Sequence, residues 1–398
     1  MRRVLIGIGV GIALVVLACT AFWPERLAVN TPVVGTLFGA AAPPASEVEK
    51  RMKAPAGFEV GMFADGVRNA RFMRFTAAGD LLVSSPREGA VFLLERDANA
   101  DGRSDGVRKL VEGLDSPHGL EFVGEWLYIA ETGAIKRVRF DPATRAVAGA
   151  PETVLAGLPI GGNHWTKSIG LGPDGWLYVS IGSTCNVCIE EDARRATIAR
   201  LHPDGTGLET YATGLRNAVG FDWRPADGAL YATDNGRDLL GDDIPPCELD
   251  RVEQGGFYGW PFVHGMGLPD PDFGAQGGEL AARAIPPAHA FGAHTAPLGM
   301  TFYRGNAFPD RYRGQAFVAL HGSWNRTRKN GYKVVLLEWP EGGGPIAESD
   351  FLTGFEVDEN VIGRPVDVQV GPDGALYVSD DFGGTVYRVA YTGARGSK

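Results

Sequence analysis

A surplus of basic charge is missing. The 398 residues carry 38 Lys and Arg against 48 Asp and Glu, a formal net charge of −10. No positive excess exists to meet phosphates, so nucleic acid is excluded as a partner. Cysteine is scarce, and four residues are too few for a disulfide scaffold. No G-x-G-x-x-G follows a strand pattern and no phosphate-cradling P-loop occurs, which sets aside nicotinamide and nucleotide chemistry. After the N-terminus there is no long amphipathic helical pattern. Glycine, by contrast, is abundant at 56 residues, about double the usual ~7%, and it lacks the G-X-Y period of collagen. Spread among 20 Phe, 11 Tyr and 8 Trp, it fits many short strands joined by tight turns. With 44% hydrophobic and 22% charged residues, a globular core is within reach and bulk disorder is not.

The N-terminus fixes an expected compartment. Met1-Arg2-Arg3 precedes an uncharged run, Val4 to Trp23, long enough for the ~20 residues that span a bilayer. A basic start before such a run is an export signal or a membrane anchor. Val16-Leu17-Ala18-Cys19 resembles a lipoprotein cleavage box. The expectation is a periplasmic or cell-envelope protein, held to the membrane only through its N-terminus by an uncleaved helix or a lipidated Cys19. The segments read as 1–23 signal or anchor, 24–54 a Pro/Ala/Gly-rich linker, 55–392 the folded domain and 393–398 a tail.

One phrase recurs along that domain: a turn ending in Gly, an aromatic or leucine-rich strand, then a small or acidic residue. Ala78-Gly79-Asp80-Leu81-Leu82-Val83 is the first copy. Gly124-Glu125-Trp126-Leu127-Tyr128 and Pro173-Asp174-Gly175-Trp176-Leu177-Tyr178 follow. Ala226-Asp227-Gly228-Ala229-Leu230-Tyr231, a weaker Arg313-Gly314-Gln315-Ala316-Phe317 and Pro372-Asp373-Gly374-Ala375-Leu376-Tyr377 complete the set. Asp-Gly before alternating apolar residues is a hairpin signal. A spacing near the ~40–50 residues of a four-stranded blade predicts an all-β, six-bladed β-propeller. A long excursion separates the fourth and fifth copies, where inserted loop covers an end of the channel.

Several residue sets carry candidate chemistry. Asp97, Asn99, Asp101 and Asp105, with Gly102 at the sixth position, space oxygen donors for Ca²⁺; the same residues also suit a hairpin tip of Asx turns. Cys185 and Cys188 outside the cytoplasm suit a local disulfide pinning a loop, with Cys247 free. Arg216-Asn217, His164, His118, His294, His321 and Arg364 lie at strand edges of different blades, mostly about ten residues before the recurring strand. Equivalent positions in successive blades converge on the channel, where a His can act as base and Arg can hold carboxylates. Finally, Asp234 to Asp250, including Asp242, Asp243 and Glu248, offers acidic and amide oxygens to a divalent cation, beside Gly255-Gly256-Phe257-Tyr258-Gly259-Trp260-Pro261.

The ordered combination of Arg216-Asn217, Asp234-Asn235-Gly236, Glu248 and the Gly255–Pro261 stretch resembles the pyrroloquinoline quinone-dependent sugar dehydrogenases of the soluble glucose dehydrogenase and sorbosone dehydrogenase type. His321-Gly322-Ser323-Trp324-Asn325-Arg326 and Arg364-Pro365-Val366-Asp367 resemble the sorbosone branch in particular. The resemblance covers roughly residues 55 to 392. It implies a six-bladed propeller with quinone and Ca²⁺ at one end of the channel, oxidising an aldose or related aldehyde for an unidentified electron acceptor. His164 then resembles the base for the sugar C1 hydroxyl. Arg216, Asn217 and Arg364 resemble cofactor-binding residues, and the carbonyls of Gly236 and Arg237 fall where calcium is held. His118 stands where the glucose enzymes carry glutamine. Arg326 and Lys329 lie near the place of a cofactor-binding lysine. Two other readings compete: a metal-dependent lactone or ester hydrolase, and a non-enzymatic propeller that binds ligands at the envelope.

Overall fold

The computed structural model describes residues 25–393; the expected anchor over 1–23, Cys19 and all but the first residue of the 393–398 tail lie outside them. Six four-stranded antiparallel sheets form the six expected blades. From inner to outer strand, blade 1 is Met73–Phe75, Leu81–Ser85, Ala90–Leu94 and Val107–Val111. Blade 2 is Leu120–Val123, Trp126–Ala130, Ala134–Asp141 and Ala146–Ala156. Blade 3 is Ile169–Leu171, Leu177–Ile181, Thr197–Leu201 and Glu209–Thr213. Blade 4 is Ala218–Trp223, Leu230–Asp234, Cys247–Val252 and His289–Phe291. Blade 5 is Pro297–Phe302, Ala316–Leu320, Lys333–Glu338 and Ala347–Leu352. Blade 6 is Pro365–Val370, Leu376–Asp380 and Thr385–Tyr391, closed on its outer edge by Phe58–Ala64.

Each recurring phrase is the second strand of a blade, and its turn explains why it recurs. Gly175, Gly228 and Gly374 take positive φ, which only glycine adopts without penalty. The aspartate before each of them accepts the amide two residues on: Asp174 from Trp176, Asp227 from Ala229, Asp373 from Ala375. The second strands of blades 1, 3, 4, 5 and 6 are buried along their whole length. They read as apolar runs because neighbouring blades cover both faces.

The inner strands pack against one another around the axis and close into a ring. Their channel-side edges carry amides that no fifth strand pairs, and a buried unpaired amide is costly. Three of the six seams meet this need with a carboxylate. Glu121 of blade 2 accepts the Leu171 amide of blade 3 at 3.1 Å. Asp222 of blade 4 accepts the Phe302 amide of blade 5 at 2.7 Å. Asp367 of blade 6 accepts the Met73 amide of blade 1 at 2.9 Å. The last is the closing seam. Blade 6 joins the first strand of the propeller to the last, with Phe58 opposite Tyr391 and Val60 opposite Val389. Phe58 sits edge-on against Phe308, Tyr312 and Phe351 in the largest apolar cluster.

The segment before Phe58 differs from the expected linker. Helices Val33–Phe38 and Ala45–Arg51 form there. Val48 and Met52 are buried in the core, and Lys53 bridges to Thr353. Spaced apolar residues in a Pro/Ala-rich context were enough to dock it. The excursion after blade 4's third strand climbs past Glu248, whose carboxylate accepts the Gly265 amide. It returns to form the short outer strand.

Asp367→Ala removes the acceptor at the closing seam. The expected loss is about 1–3 kcal/mol for one buried amide left unpaired, read as a lower midpoint in guanidinium unfolding. An unchanged midpoint would show that the seam does not depend on this carboxylate.

Candidate active site

Alternating strand directions place two kinds of connection at one end of the channel. These are the outer-to-inner links between blades and the second-to-third hairpins, and this end is called upper below. Here lies a cavity of about 500 Å³ lined by Arg71, His164, Asn217, His321, Arg364 and Asp381, with Trp165 and Phe382 among its apolar walls. A larger cavity of about 940 Å³ occupies the lower end. Its Arg74 and Arg304 are already paired with Glu121 and Asp222, so it lacks uncommitted cations.

His164 is held by its neighbours. Nδ1 lies 3.0 Å from the Ser183 carbonyl oxygen and 2.9 Å from Ser183 Oγ. That hydroxyl donates to the Cys185 carbonyl, so both contacts accept. Nδ1 therefore carries the proton and Nε2 keeps its lone pair. Burial first, and the Arg216 charge second, lower the imidazole to about 3. Arg195 fixes the loop, donating to the carbonyls of Ile160, Gly161, His164 and Gly182. Gly182 gives room: a Cβ there would sit 2.5 Å from His164 Cβ and 2.7 Å from Asn217 Oδ1.

Opposite stand Arg71, Asp381, His321 and Arg364. Arg71 donates to Asp381 at 2.9 Å and to His118 Nε2 at 3.3 Å, while its buried Nε has no partner. His321 Nε2 contacts Asp381 at 2.9 Å. Burial and Arg364 lower His321 to about 4. Burial pushes the Asp381 carboxyl up, but His321, Arg71 and Arg364 outweigh it and hold it well below the usual range. Arg364 donates to the His321 and Gly322 carbonyls and lies over Tyr332. Two guanidiniums, one with a buried donor unspent, fit an anionic carboxylate-bearing ligand.

The other expected residues divide. Asn217 and Arg364 line the cavity with His164. Arg216 does not: its guanidinium turns away to the carbonyls of Asn186 and Asn235 and to Asp238. There it lines a small adjoining recess with Asp234, Gly236, Glu248 and His264. His118 is fully buried behind Arg71 and lines no cavity, so it positions that arginine; burial and Arg71 push its imidazole well down. Arg326 binds the Asp242 carbonyl and Asp243. Lys329 holds Asn30 and Glu359. Neither reaches the cavity, because both tie surface segments together. His294 likewise holds the Gly241 carbonyl.

The metal candidates separate as well. Asp97, Asn99, Asp101 and Asp105 sit on a lower-end hairpin of blade 1, opposite the site. Their oxygens accept backbone amides of residues 98 to 103, which is the Asx-turn arrangement, and they form no cluster of ligand atoms. Cys185, Cys188 and Glu190 are the one such cluster among the described residues, but the two cysteines form a disulfide. Cys247 is free and buried. Arg237 pairs with Asp270 and Asp272. No described hydrogen bond uses the Gly236 or Arg237 carbonyl. In blade 4, Asp234 and Glu248 are cross-strand neighbours, with Asp250 two residues on. Burial raises Asp234 to about 6 and, with Asp234's charge, Glu248 to about 8. Both Asp250 oxygens are buried without a partner. Asp234 and Glu248 each accept a backbone amide, and these carboxylates, like the Asp97 set, form no cluster of ligand atoms among the described residues. What sets this segment apart is the unpartnered Asp250 oxygens beside the Gly236 and Arg237 carbonyls, hard donors of the kind a divalent cation takes.

Arg71 and Asp381 were missed. Arg71 stands ten residues before the first recurring strand, the offset already used for the other blades, and Asp381 directly follows the last.

Residues 126–388 match the family model for glucose/sorbosone dehydrogenase. An uncharacterized protein of Borreliella burgdorferi is 31% identical over 362 residues, 87% of this chain and 93% of that one. A pyrroloquinoline quinone-dependent pyranose dehydrogenase of Coprinopsis cinerea is 26% identical over 422 residues, covering 87% of this chain and 55% of its own length. The holo pyrroloquinoline quinone domain of the C. cinerea pyranose dehydrogenase superposes with a TM-score of 0.73 at 24% identity, over 89% of this chain and 99% of that one. A calcium structure of a Trichoderma reesei family AA12 carbohydrate-active enzyme gives 0.73 at 22%, over 86% and 97%. At these identities the superpositions show a shared fold.

Two outcomes follow from the geometry. Gly182→Ala crowds His164 and Asn217, and overpacking of this kind costs about 1–3 kcal/mol; an unshifted unfolding midpoint would show slack at that contact. Because His164 is lowered on folding, the unfolded chain binds a proton that the folded one refuses between pH 6.5 and about 3. Wild-type stability should therefore fall relative to His164→Gln as pH drops through that window. Paired melting curves check this, and a constant difference would contradict the assigned protonation.

Proposed function

The chain belongs to the glucose/sorbosone dehydrogenase family of pyrroloquinoline quinone-dependent sugar dehydrogenase-like proteins, and on that premise we propose that it oxidises an aldose or related aldehyde with quinone and calcium. The observation that carries the reading is His164, a neutral imidazole with its Nδ1 proton committed to Ser183 and its Nε2 lone pair uncommitted, in a cavity with two arginines.

Removal of the C1 hydroxyl proton needs a base, and Nε2 of His164 takes it. The Ser183 carbonyl and the Asp238 charge then support the imidazolium. Arg71 and Arg364 hold the carboxylates of the cofactor, with Asn217 at its side, and Asp381 and His118 keep Arg71 aimed. An anionic ligand here also offsets the cations around His164 and raises its proton affinity toward the ordinary range. A bound quinone would supply the hydride acceptor and calcium would supply Lewis-acid polarisation. We assign calcium to the segment of Gly236, Arg237 and Glu248. Arg216 lies between that recess and the cavity, as a positioning residue.

We place the protein in the cell envelope, held through Val4–Trp23. The Arg2-Arg3 start and a disulfide suited to an oxidising compartment support this. Electrons pass to an acceptor outside the chain.

The test is reconstitution of the full chain with Ca²⁺ and pyrroloquinoline quinone, with dye reduction measured across a panel of aldoses. Sugar-dependent turnover is expected, and His164→Ala should lower it about 10²–10⁴-fold while quinone absorbance still reports binding. Full turnover in that variant would remove His164 as base. Lactone hydrolysis with metal and no quinone would replace the dehydrogenase by a hydrolase.

A further inference from the structure

The exposed apolar side chains are not spread evenly. Of sixteen large hydrophobic residues exposed among the described residues, eleven lie on the upper end. Val107 opens the outer strand of blade 1, Leu208 lies on a lower-end hairpin, and the other three belong to the blade 4 excursion between its third and fourth strands. Chance exposure gives scattered single residues, whereas a grouped set marks an interaction surface.

Nine of the eleven lie on the half of the upper end that blades 4 to 6 occupy, with Ile160 and Ile189 apart on the blade 2 and 3 side, and Asn325 joins the segments that carry Leu27, Leu239 and Trp324. Its buried amide donates to the Arg26 carbonyl at 3.1 Å and the Ala28 carbonyl at 2.7 Å, and its Oδ1 accepts the Leu239 amide at 2.8 Å. The Asn30 amide donates to the Trp324 carbonyl at 2.8 Å. Three apolar-bearing segments thus become one surface: residues 27–38, the loop with Leu239, and Trp324. Phe38 is 72% exposed and Leu37 61%. The segment rests on the site wall itself, where Gly35 lines the cavity beside Phe382.

Sequence says what covers this surface. Leu27 stands four residues after Trp23, the last member of the uncharged run Val4–Trp23. That run lies outside the described residues, and the chain leaving it enters directly onto the apolar half of the upper end. We propose that this face, centred on Leu37, Phe38, Trp324 and Leu239, docks onto a lipid bilayer. Exposed Leu and Phe enter the boundary between headgroups and acyl chains, and tryptophan sits at headgroup depth. The blade 1 to 3 side of the cavity mouth stays open to water. This shares the membrane with the envelope placement above, but it concerns a face of the folded propeller and not the N-terminal run.

The experiment uses the full chain and phosphatidylcholine vesicles. Sedimentation reports attachment of any kind, and hydrogen exchange reports the face. The expected result is co-sedimentation, with amides of 27–38, 239–244 and 324–327 protected on vesicles and the lower-end hairpins 95–106 and 202–208 unchanged. Leu37→Asp with Phe38→Asp should abolish that protection and leave the melting temperature in solution unaltered. Co-sedimentation with no protection at the face would overturn the proposal while leaving the N-terminal attachment standing. Failure to sediment would overturn both. Protection that appears without vesicles as protein concentration rises would assign the face to a second copy instead and also overturn the proposal.

Discussion

The ring stands on amides that have no strand to pair with. Each inner strand offers one edge to its own blade and the other to the channel. Glu121, Asp222 and Asp367 supply oxygens across three seams, turning an exposed edge into a joint. Asp222 also accepts its neighbour's amide and holds Arg304. The upper-end loops depend on these joints. His164, Asn217, Arg71 and Arg364 come from four different blades, and only a ring of fixed diameter brings them to one cavity.

The site is buried and charged at once. Asp381 takes Arg71 and His321 together, and Asp380 accepts the amides of Arg364, Phe382 and Gly383. Such a wall leaves few groups uncommitted. The exceptions are the Nε2 lone pair of His164 and the Nε donor of Arg71, one acceptor and one donor. A preorganised pair of that kind binds and abstracts without rebuilding its surroundings.

The blades were legible because each second strand is preceded by a turn that only a few residues can make. The aspartate that caps it is visible in sequence. The ring of His, Arg and Asn was legible from a shared offset to those strands, which found His164, Asn217 and Arg364. What failed was direction. Arg216 and Asn217 are adjacent in a turn before the Ala218–Trp223 strand, yet Asn217 faces the cavity while the Arg216 guanidinium is drawn into the recess by the Asn186 and Asn235 carbonyls and Asp238, partners that sequence does not reveal. Lys329 and Arg326 looked available because nothing in sequence reveals Asn30 or Asp242 as their partners. Residues 24–54 looked like a linker because the docking of Val48 and Met52 depends on a distant core. Oxygen spacing at Asp97–Asp105 serves a turn and a cation equally well, and here the amides of the turn occupy it.

The strand that closes blade 6 imposes an order on synthesis. Phe58–Ala64 is made more than three hundred residues before its partner Thr385–Tyr391. At the usual ~5–20 residues per second, the interval is on the order of tens of seconds. Throughout it, a seven-residue strand waits with an unclaimed edge, the feature most prone to wrong pairing. Truncation or stalling near the C-terminus therefore leaves more than a shorter protein. It leaves an open ring with a reactive strand at each end, a species for the quality-control machinery rather than a weaker enzyme.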